Sequence, residues 1–583
     1  MTFMLLNGVF ALALMLHPVF VKCELYYVKQ SEHSSCPYME SCLTLAQLTT
    51  NIHQYLGQNT TLVLLSGRHS LSETLLVTNV NQFELFAIDY GENHQNNNTV
   101  SIECTSNASL ELMHCNHVNI SHVIFIGCGG FVVDSVGEFS LNYSTFMRQR
   151  VERSALIFNY VGEVNITHSY FVSNRGSSCT FYNPSIEDSF LKHCGGAIYA
   201  TTSNIWIERS FFMKNMQAIF AELNTNMTFS TCTFEQNYYT NPSNDALANT
   251  CVIAGSSTHI LVINSSFSNN RGGGVFWISE SKLEVEWNNF SHNGYDHGYG
   301  NGGIIYSDHS TVTLNRNTFT HSYAYYGGVI ICLSSTFIVT MNTFNNNIAE
   351  GYGGVFYTYS SHIFITKCYF HHNRAFLAGV LAVYEGTVKI DQSLFWNNGA
   401  NGTIGESGVM QSTFSSLEIN RTLFIQNEAN DAGVLSLYKS NLTSSRTSFL
   451  NNTSNYKGIF HSKNSTLLCY DIHFAYNIGK FSVMYLAETN ATFSGLTFSQ
   501  NIGSLLVVRG LLLFSRHSTF NHNEAANNDG DNLLLQRAQY QGGGITSFYS
   551  TLYFRGETVF HNNQGENGGA LYAVKSLSLI HIS

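Results

Sequence analysis

GGVIICLSSTFIVTMNTFNNN, residues 327–347, is followed 26 positions on by GGVFYTYSSHIFITKCYFHHN, residues 353–373. Aligned, the two stretches share a Gly pair (Gly327-Gly328, Gly353-Gly354), an alternating apolar pair (Phe337/Val339, Ile363/Ile365), a Phe (Phe344, Phe370) and, three residues later, an Asn (Asn347, Asn373). Apolar residues at every second position mark strands rather than helices. A fixed period of this size marks a repeat architecture.

The pattern extends in both directions. Phe-x-x-Asn recurs with Phe at 171, 212, 234, 267, 290, 344, 370, 395, 424, 449, 474, 498 and 520, and Phe319 joins with Ser322 in place of Asn. From Phe319 to Phe520 the steps are 25, 26, 25, 29, 25, 25, 24 and 22 residues. Val559 with Asn562 reads as a late variant. About 25 residues at ~3.3 Å each make one lap of a small prism with three short strands, and laps stacked ~4.8 Å apart bury one continuous core. The expected fold is therefore all-β, a single-stranded right-handed parallel β-helix (solenoid). In it the Phe column stacks inside, the Asn column turns a corner in left-handed dihedrals while bonding to the Asn above and below, and the Gly pair supplies positive φ. Small residues fill a column two before Phe, so Cys232 and Cys368 there read as buried thiols, as does Cys469 in an apolar column.

The ends differ from the middle. Met4 to Leu16 is an apolar run of h-region length, so residues 1–23 read as a signal peptide. Leu43, Leu45, Leu48, Ile52 and Leu56 have helical spacing, which predicts an N-terminal helical cap over residues 24–60. Irregular early coils are expected over 61–160 and regular repeats over 161–583, truncated at the C-terminus, where an anchor could follow in a missing part.

Of 583 residues 11% are charged and 44% hydrophobic, with a formal charge of −11. This excludes a charged disordered chain and gives no basic surface for nucleic acid. No run is long enough to span a membrane. Thirteen Cys, twelve after the expected cleavage, suit an oxidising compartment. Cys36–Cys42 and Cys179–Cys194 are expected bridges, and Cys104, Cys115 and Cys128 could supply a third. Sixteen Asn-x-Ser/Thr acceptors, among them Asn59, Asn107, Asn165, Asn226, Asn264, Asn401, Asn441 and Asn490, fit an exported glycoprotein.

The two short motifs, Phe-x-x-Asn and Gly-Gly-[Ala/Val/Ile]-[Ile/Leu/Phe], resemble the polymorphic outer membrane protein repeat of the pectin-lyase-like superfamily, over about residues 160–575. The head, Tyr26-Tyr27-Val28 with Cys36 and Cys42-Leu43-Thr44-Leu45, resembles that of large secreted animal proteins carrying a right-handed β-helix domain. The resemblance implies display or adhesion and an extracellular or cell-surface location.

Enzymes of this architecture cleave polysaccharides with clustered Asp, Arg and Lys. Glu284 and Glu286 share one strand face at a spacing a glycosidase pair could use, with no basic residue expected around them. Lys389 and Asp391 share a face and Glu418 should lie over Lys389, which reads as an ion pair between coils. His292 and His321 follow their Phe by two residues and could share a metal. Asp529 and Asp531 could hold Ca²⁺ in a polar loop. Solvated positions, a polar ladder and an ordinary loop account for all of these, so no cofactor is assigned. The expected function is a non-enzymatic extracellular scaffold for adhesion, matrix or ligand recognition, with an extracellular protein or glycan as ligand. The alternative is a polysaccharide lyase or hydrolase.

Overall fold

A strand with one apolar edge buries only half of itself, and the short strands of one lap bury the rest only against the next lap. The computed structural model realises this as a parallel β-solenoid. It describes residues 23–29, 42–49, 58–88, 100–105, 108–151, 154–176, 196–238, 251–272, 274–294, 302–401, 407–525, 542–565 and 568–580. The expected signal peptide lies outside these residues. So do Cys36, Cys179, Cys194, Asn107, Asp529 and Asp531, and the side chain of Cys42.

The chain forms two units, one running to Phe220 and one from Met227 onward, with residues 221–226 divided between them. A coil of the second unit shows the plan. Ile330–Leu333 follows the Gly pair, Thr336–Thr340 and Thr343–Asn345 follow in turn, and Ile348–Tyr352 closes the lap before the next Gly pair. Each strand pairs in parallel with its counterpart one coil on: Ile330 with Phe356, Phe337 with Ile363, Phe344 with Phe370 and Ala349 with Ala375. The Phe rings from Phe267 to Phe474 stack face on face with centroids 4.4–5.0 Å apart; Phe498 tilts by 40° and 39° against its neighbours, at 5.8 and 5.6 Å, and Phe520 and Phe560 stack again at 4.9 Å. Phe290, Phe319, Phe344 and Phe370 are all fully buried.

The Asn column is also sealed inside, but for a different reason from the one expected. Left-handed dihedrals belong to the residue before it: Asn346 (φ 53°), His372 (57°), Asn397 (51°) and Tyr476 (58°). That residue turns the corner and frees the following Asn to point inward. Asn373 donates from Nδ2 to Phe344 O of the preceding coil (3.0 Å) and to Asn398 Oδ1 of the next (3.0 Å). Its own Oδ1 accepts from the backbone N–H and Nδ2 of Asn347, both at 3.0 Å. Two further corners per coil are left-handed, such as Ser334 and Met341, again without glycine. Glycine is required elsewhere: Gly353 has φ +68°, and a Cβ on Gly354 would sit 2.2 Å from Gly379 O on the next coil.

Beyond Phe520 the ladder continues through Phe560 and Asn563 rather than Val559 and Asn562. Phe520 pairs with Phe560, and Asn523 Nδ2 donates to Asn563 Oδ1 at 2.9 Å. Val559 therefore points outward.

In the first unit Cys23–Lys29 is a strand, paired with Cys42–Thr44 and Asn59–Leu65, and the described helix of the expected cap is limited to residues 45–49. The Phe stack starts earlier than expected, at Phe125 (Phe125–Phe146 4.9 Å, Phe146–Phe171 5.4 Å). Gln149 takes the Asn role, donating to Phe125 O at 3.0 Å. One position further back in the column stands Cys128, bridged to Cys104 across one coil. Cys115 is the free, buried member of that trio, Cys368 and Cys469 are buried free thiols as the columns predict, and Cys232 is buried in its column.

Candidate functional site

Of the carboxylates singled out in the sequence, Glu284, Asp391 and Glu418 are held in ion pairs. Glu284 and Glu286 point outward from Lys282–Glu286. The residues expected to be missing around them are present: Lys282 and His259 both bind Glu284 Oε1, His259 Nε2 at 3.0 Å. The Lys282 hydrogen bond, set against partial burial and helped by His259, holds the Glu284 carboxyl below the usual carboxylate range. That is the wrong direction for a general acid. Lys389 pairs with Glu418 across one coil at 3.0 Å, and Arg421 Nε binds Asp391 at 2.8 Å.

His292 and His321 do stack, with centroids 4.7 Å apart and ring planes 1° from parallel. Imidazole lone pairs lie in the ring plane, so two parallel rings direct them along separate planes and not at one shared ion. Among the described residues no group of three or more His, Cys, Asp or Glu side chains gathers to hold a metal. A buried histidine that the sequence did not flag is His461. Its ring stacks on Tyr485 at 5.4 Å, and burial, with Lys457 and Lys463 nearby, depresses its pKa to about 3.

The most distinctive surface of the second unit is aromatic. Tyr326 and Tyr352 end consecutive short strands just before their Gly pairs, while Tyr357 and Tyr384 point outward from the strands just after. The glycine turn folds each coil back, so these rings meet: Tyr326–Tyr352 5.5 Å, Tyr326–Tyr357 5.2 Å, Tyr352–Tyr357 6.0 Å and Tyr357–Tyr384 5.8 Å. Tyr359, 45% exposed, lies in register with Tyr384 and extends the wall. Burial and the neighbouring tyrosines raise the pKa of Tyr357 and Tyr384. The wall thus presents ring faces and neutral hydroxyls.

The family described as right handed beta helix region matches residues 218–351 and 302–469. The chain is a right-handed parallel β-helix. A comparison with curated proteins found no match. Among solved structures, this β-helix is similar to the PL6 family alginate lyase AlyGC, at 10% identity and TM-score 0.29, covering 96% of this chain and 100% of that one. It is also similar to PfbA, a surface adhesin of Streptococcus pneumoniae, at 9% identity and TM-score 0.28, covering 91% and 87%. A third is the catalytic domain of a GH87 alpha-1,3-glucanase in complex with nigerose, at 10% identity and TM-score 0.24, covering 71% and 66%.

The Asn-x-Ser/Thr triplets of the sequence are unevenly placed. Asn165, Asn226, Asn441 and Asn490 sit exposed on five- or ten-residue strands, Asn264 at a corner and Asn401 after a short strand, while Asn59 is half-buried. Residues 290–400 contain no Asn-x-Ser/Thr at all, yet hold eleven of the 32 tyrosines. The tyrosine wall lies within that stretch. The sequence contained both signals, but the repeat drew attention to the residues that recur, and the wall is built from residues that do not.

Proposed function

We propose that this β-helix is a non-enzymatic extracellular scaffold for adhesion, matrix or ligand recognition, and that the tyrosine wall is its recognition surface. The observation that carries this reading is the coincidence of a partly exposed, neutral aromatic surface with a 111-residue stretch free of Asn-x-Ser/Thr. Tyrosine provides large, rigid contact area with a hydroxyl at its edge, the chemistry enriched at recognition surfaces. Attached glycans elsewhere on the β-helix would leave this surface open. The acceptors, the apolar leader and the cysteine content support secretion or a cell-surface location. No helix among the described residues is long and apolar enough to cross a membrane. The ligand is a neutral glycan or a protein surface.

The test is a glycan wedge. Tyr359→Asn creates an Asn-Ser-Ser acceptor with Ser360 and Ser361. Secreted protein carrying it should lose binding to arrayed neutral glycans and immobilised matrix proteins, and Tyr384→Ser should weaken the same binding. Undiminished binding by the glycosylated variant would remove the wall from the proposal. Polysaccharide cleavage is the competing reading, and it rests on Glu284 and Glu286. Release of new sugar ends that disappears in Glu284→Gln and Glu286→Gln would decide for it, but the ion pair at Glu284 favours the scaffold.

A further inference from the structure

In a straight strand, neighbouring side chains point to opposite faces. The corner after Tyr369–His371 breaks that rule. His371 ends the strand facing outward, His372 takes a left-handed conformation (φ 57°), and the next residue to turn inward is Asn373. Both imidazoles are thereby left on the outer side, half-buried, with their Nδ1 atoms 3.1 Å apart. Neither ring is loosely held. Tyr369 stacks on His371 at 4.3 Å, and Trp396 stands edge-on to His372 at 4.9 Å with its own Nε1 bonded to Gln426.

Two nitrogens at this separation fit one metal ion. With metal–nitrogen bonds of about 2.0–2.1 Å, 3.1 Å subtends an angle at the metal of roughly 100°, between the square and tetrahedral values. A third donor stands on the preceding coil. Asn345, in register with His371, has a buried Oδ1 without a hydrogen-bond partner. An orphaned buried acceptor costs free energy that a cation or its bound water would recover. We propose that His371 and His372 chelate a divalent transition-metal ion, Cu²⁺ in preference to Zn²⁺, with Asn345 and water completing the coordination. Nitrogen and amide-oxygen donors with open positions suit the tetragonal preference of Cu²⁺, and Cu²⁺ stands above Zn²⁺ in intrinsic affinity. This site is independent of the tyrosine wall as recognition surface.

The test is titration of the full chain with CuCl₂, following tryptophan fluorescence and the electron paramagnetic resonance of the bound ion. One equivalent should quench Trp396 and give a spectrum with imidazole nitrogen coupling. His371→Asn and His372→Asn keep residue types that the same corner already carries at Asn345, Asn346 and Asn397, so the fold survives them. Each should weaken the first equivalent at least tenfold, and His292→Asn, which touches the parallel pair, should change nothing. A smaller loss in either variant, an equal loss in His292→Asn, or a spectrum without nitrogen coupling in the unmodified chain overturns the assignment.

Discussion

The ridge of residues that includes Tyr476 is open to solvent and chemically mixed, whereas the column that includes Asn477, one residue further on, is sealed and nearly uniform. Tyr476 is 54% exposed and Asn477 is fully buried. Along the ridge stand His292, His321, Asn346, His372, Asn397, Gln426, Asn451 and Tyr476, all left-handed. Along the column stands Asn after Asn, interrupted at Ser322, and from Asn347 to Asn477 each is bound to the next. The backbone geometry is constant where the residue type is free, and the residue type is constant where a hydrogen bond must be made. Repetition in this chain therefore records burial and bonding, and it is silent about which residue turns the corner.

The comparison can be broken most severely at Asn477. Asn477→Leu leaves the backbone N–H and the amide of Asn452, and the carbonyl of Phe449, without their present partner. At 1–3 kcal/mol for each buried unsatisfied group, the local loss is about 5 kcal/mol. Hydrogen exchange over residues 449–501 would report it as lost protection, and unchanged protection would mean that the ladder is ornamental.

His461 is a buried polar group off the ladder, and it sharpens the contrast through pH. Its folded pKa, about 3, lies below the ordinary histidine value of 6.5, so the unfolded chain takes up the proton first. Stability is whole above about pH 6.5 and is lost as pH falls toward 3, by about 5 kcal/mol in total. Exchange rates around residues 458–463, corrected for their intrinsic pH dependence, should show this slope. His461→Gln should flatten it.

The third effect concerns the ladder's covalent neighbour. Cys104 and Cys128 close a loop with a sequence separation of 24, which is worth about 3 kcal/mol by chain entropy. Cys128→Ser should lower the unfolding free energy of the first unit by that amount, read as a fall in its urea midpoint, and leave the second unit's transition in place. Smallest of all is Tyr476→Gly. Relief of the left-handed conformation offsets the added freedom of glycine in the unfolded chain, so the net change stays below about 1 kcal/mol. A loss as large as that of Asn477→Leu would erase the distinction drawn here.

The same distinction explains what was legible in the sequence. Phe344, Phe370, Asn347 and Asn373 announced the solenoid because an interior column must repeat to bond and stack. The misplacement at Val559 came from counting in a variable coil, where Phe560 and Asn563 in fact hold the register. The early Phe125 and Phe146 escaped notice because Cys128 and Gln149 stand where Asn would. The exposed sites were harder. The pairing of Glu284 with Lys282 and His259 depends on how outward side chains lean across coils, and the approach of His371 to His372 depends on a left-handed corner that no residue type marks. The tyrosine wall depends on glycine turns that bring residues 352 and 357 together, edge to face.

The amide ladder also has a direction. Each oxygen accepts from the coil before it, and each amide nitrogen donates to the coil after it. The dipoles run head to tail, and every lap offers its successor the same socket. Removing residues 374–398 would join Asn347, Asn373 and Asn427 into the same chain of bonds with one link fewer, and duplicating them would add one. The length of this molecule is thus a quantity that gene duplication or unequal crossing-over can edit a turn at a time, without any surviving turn having to relearn how to fold.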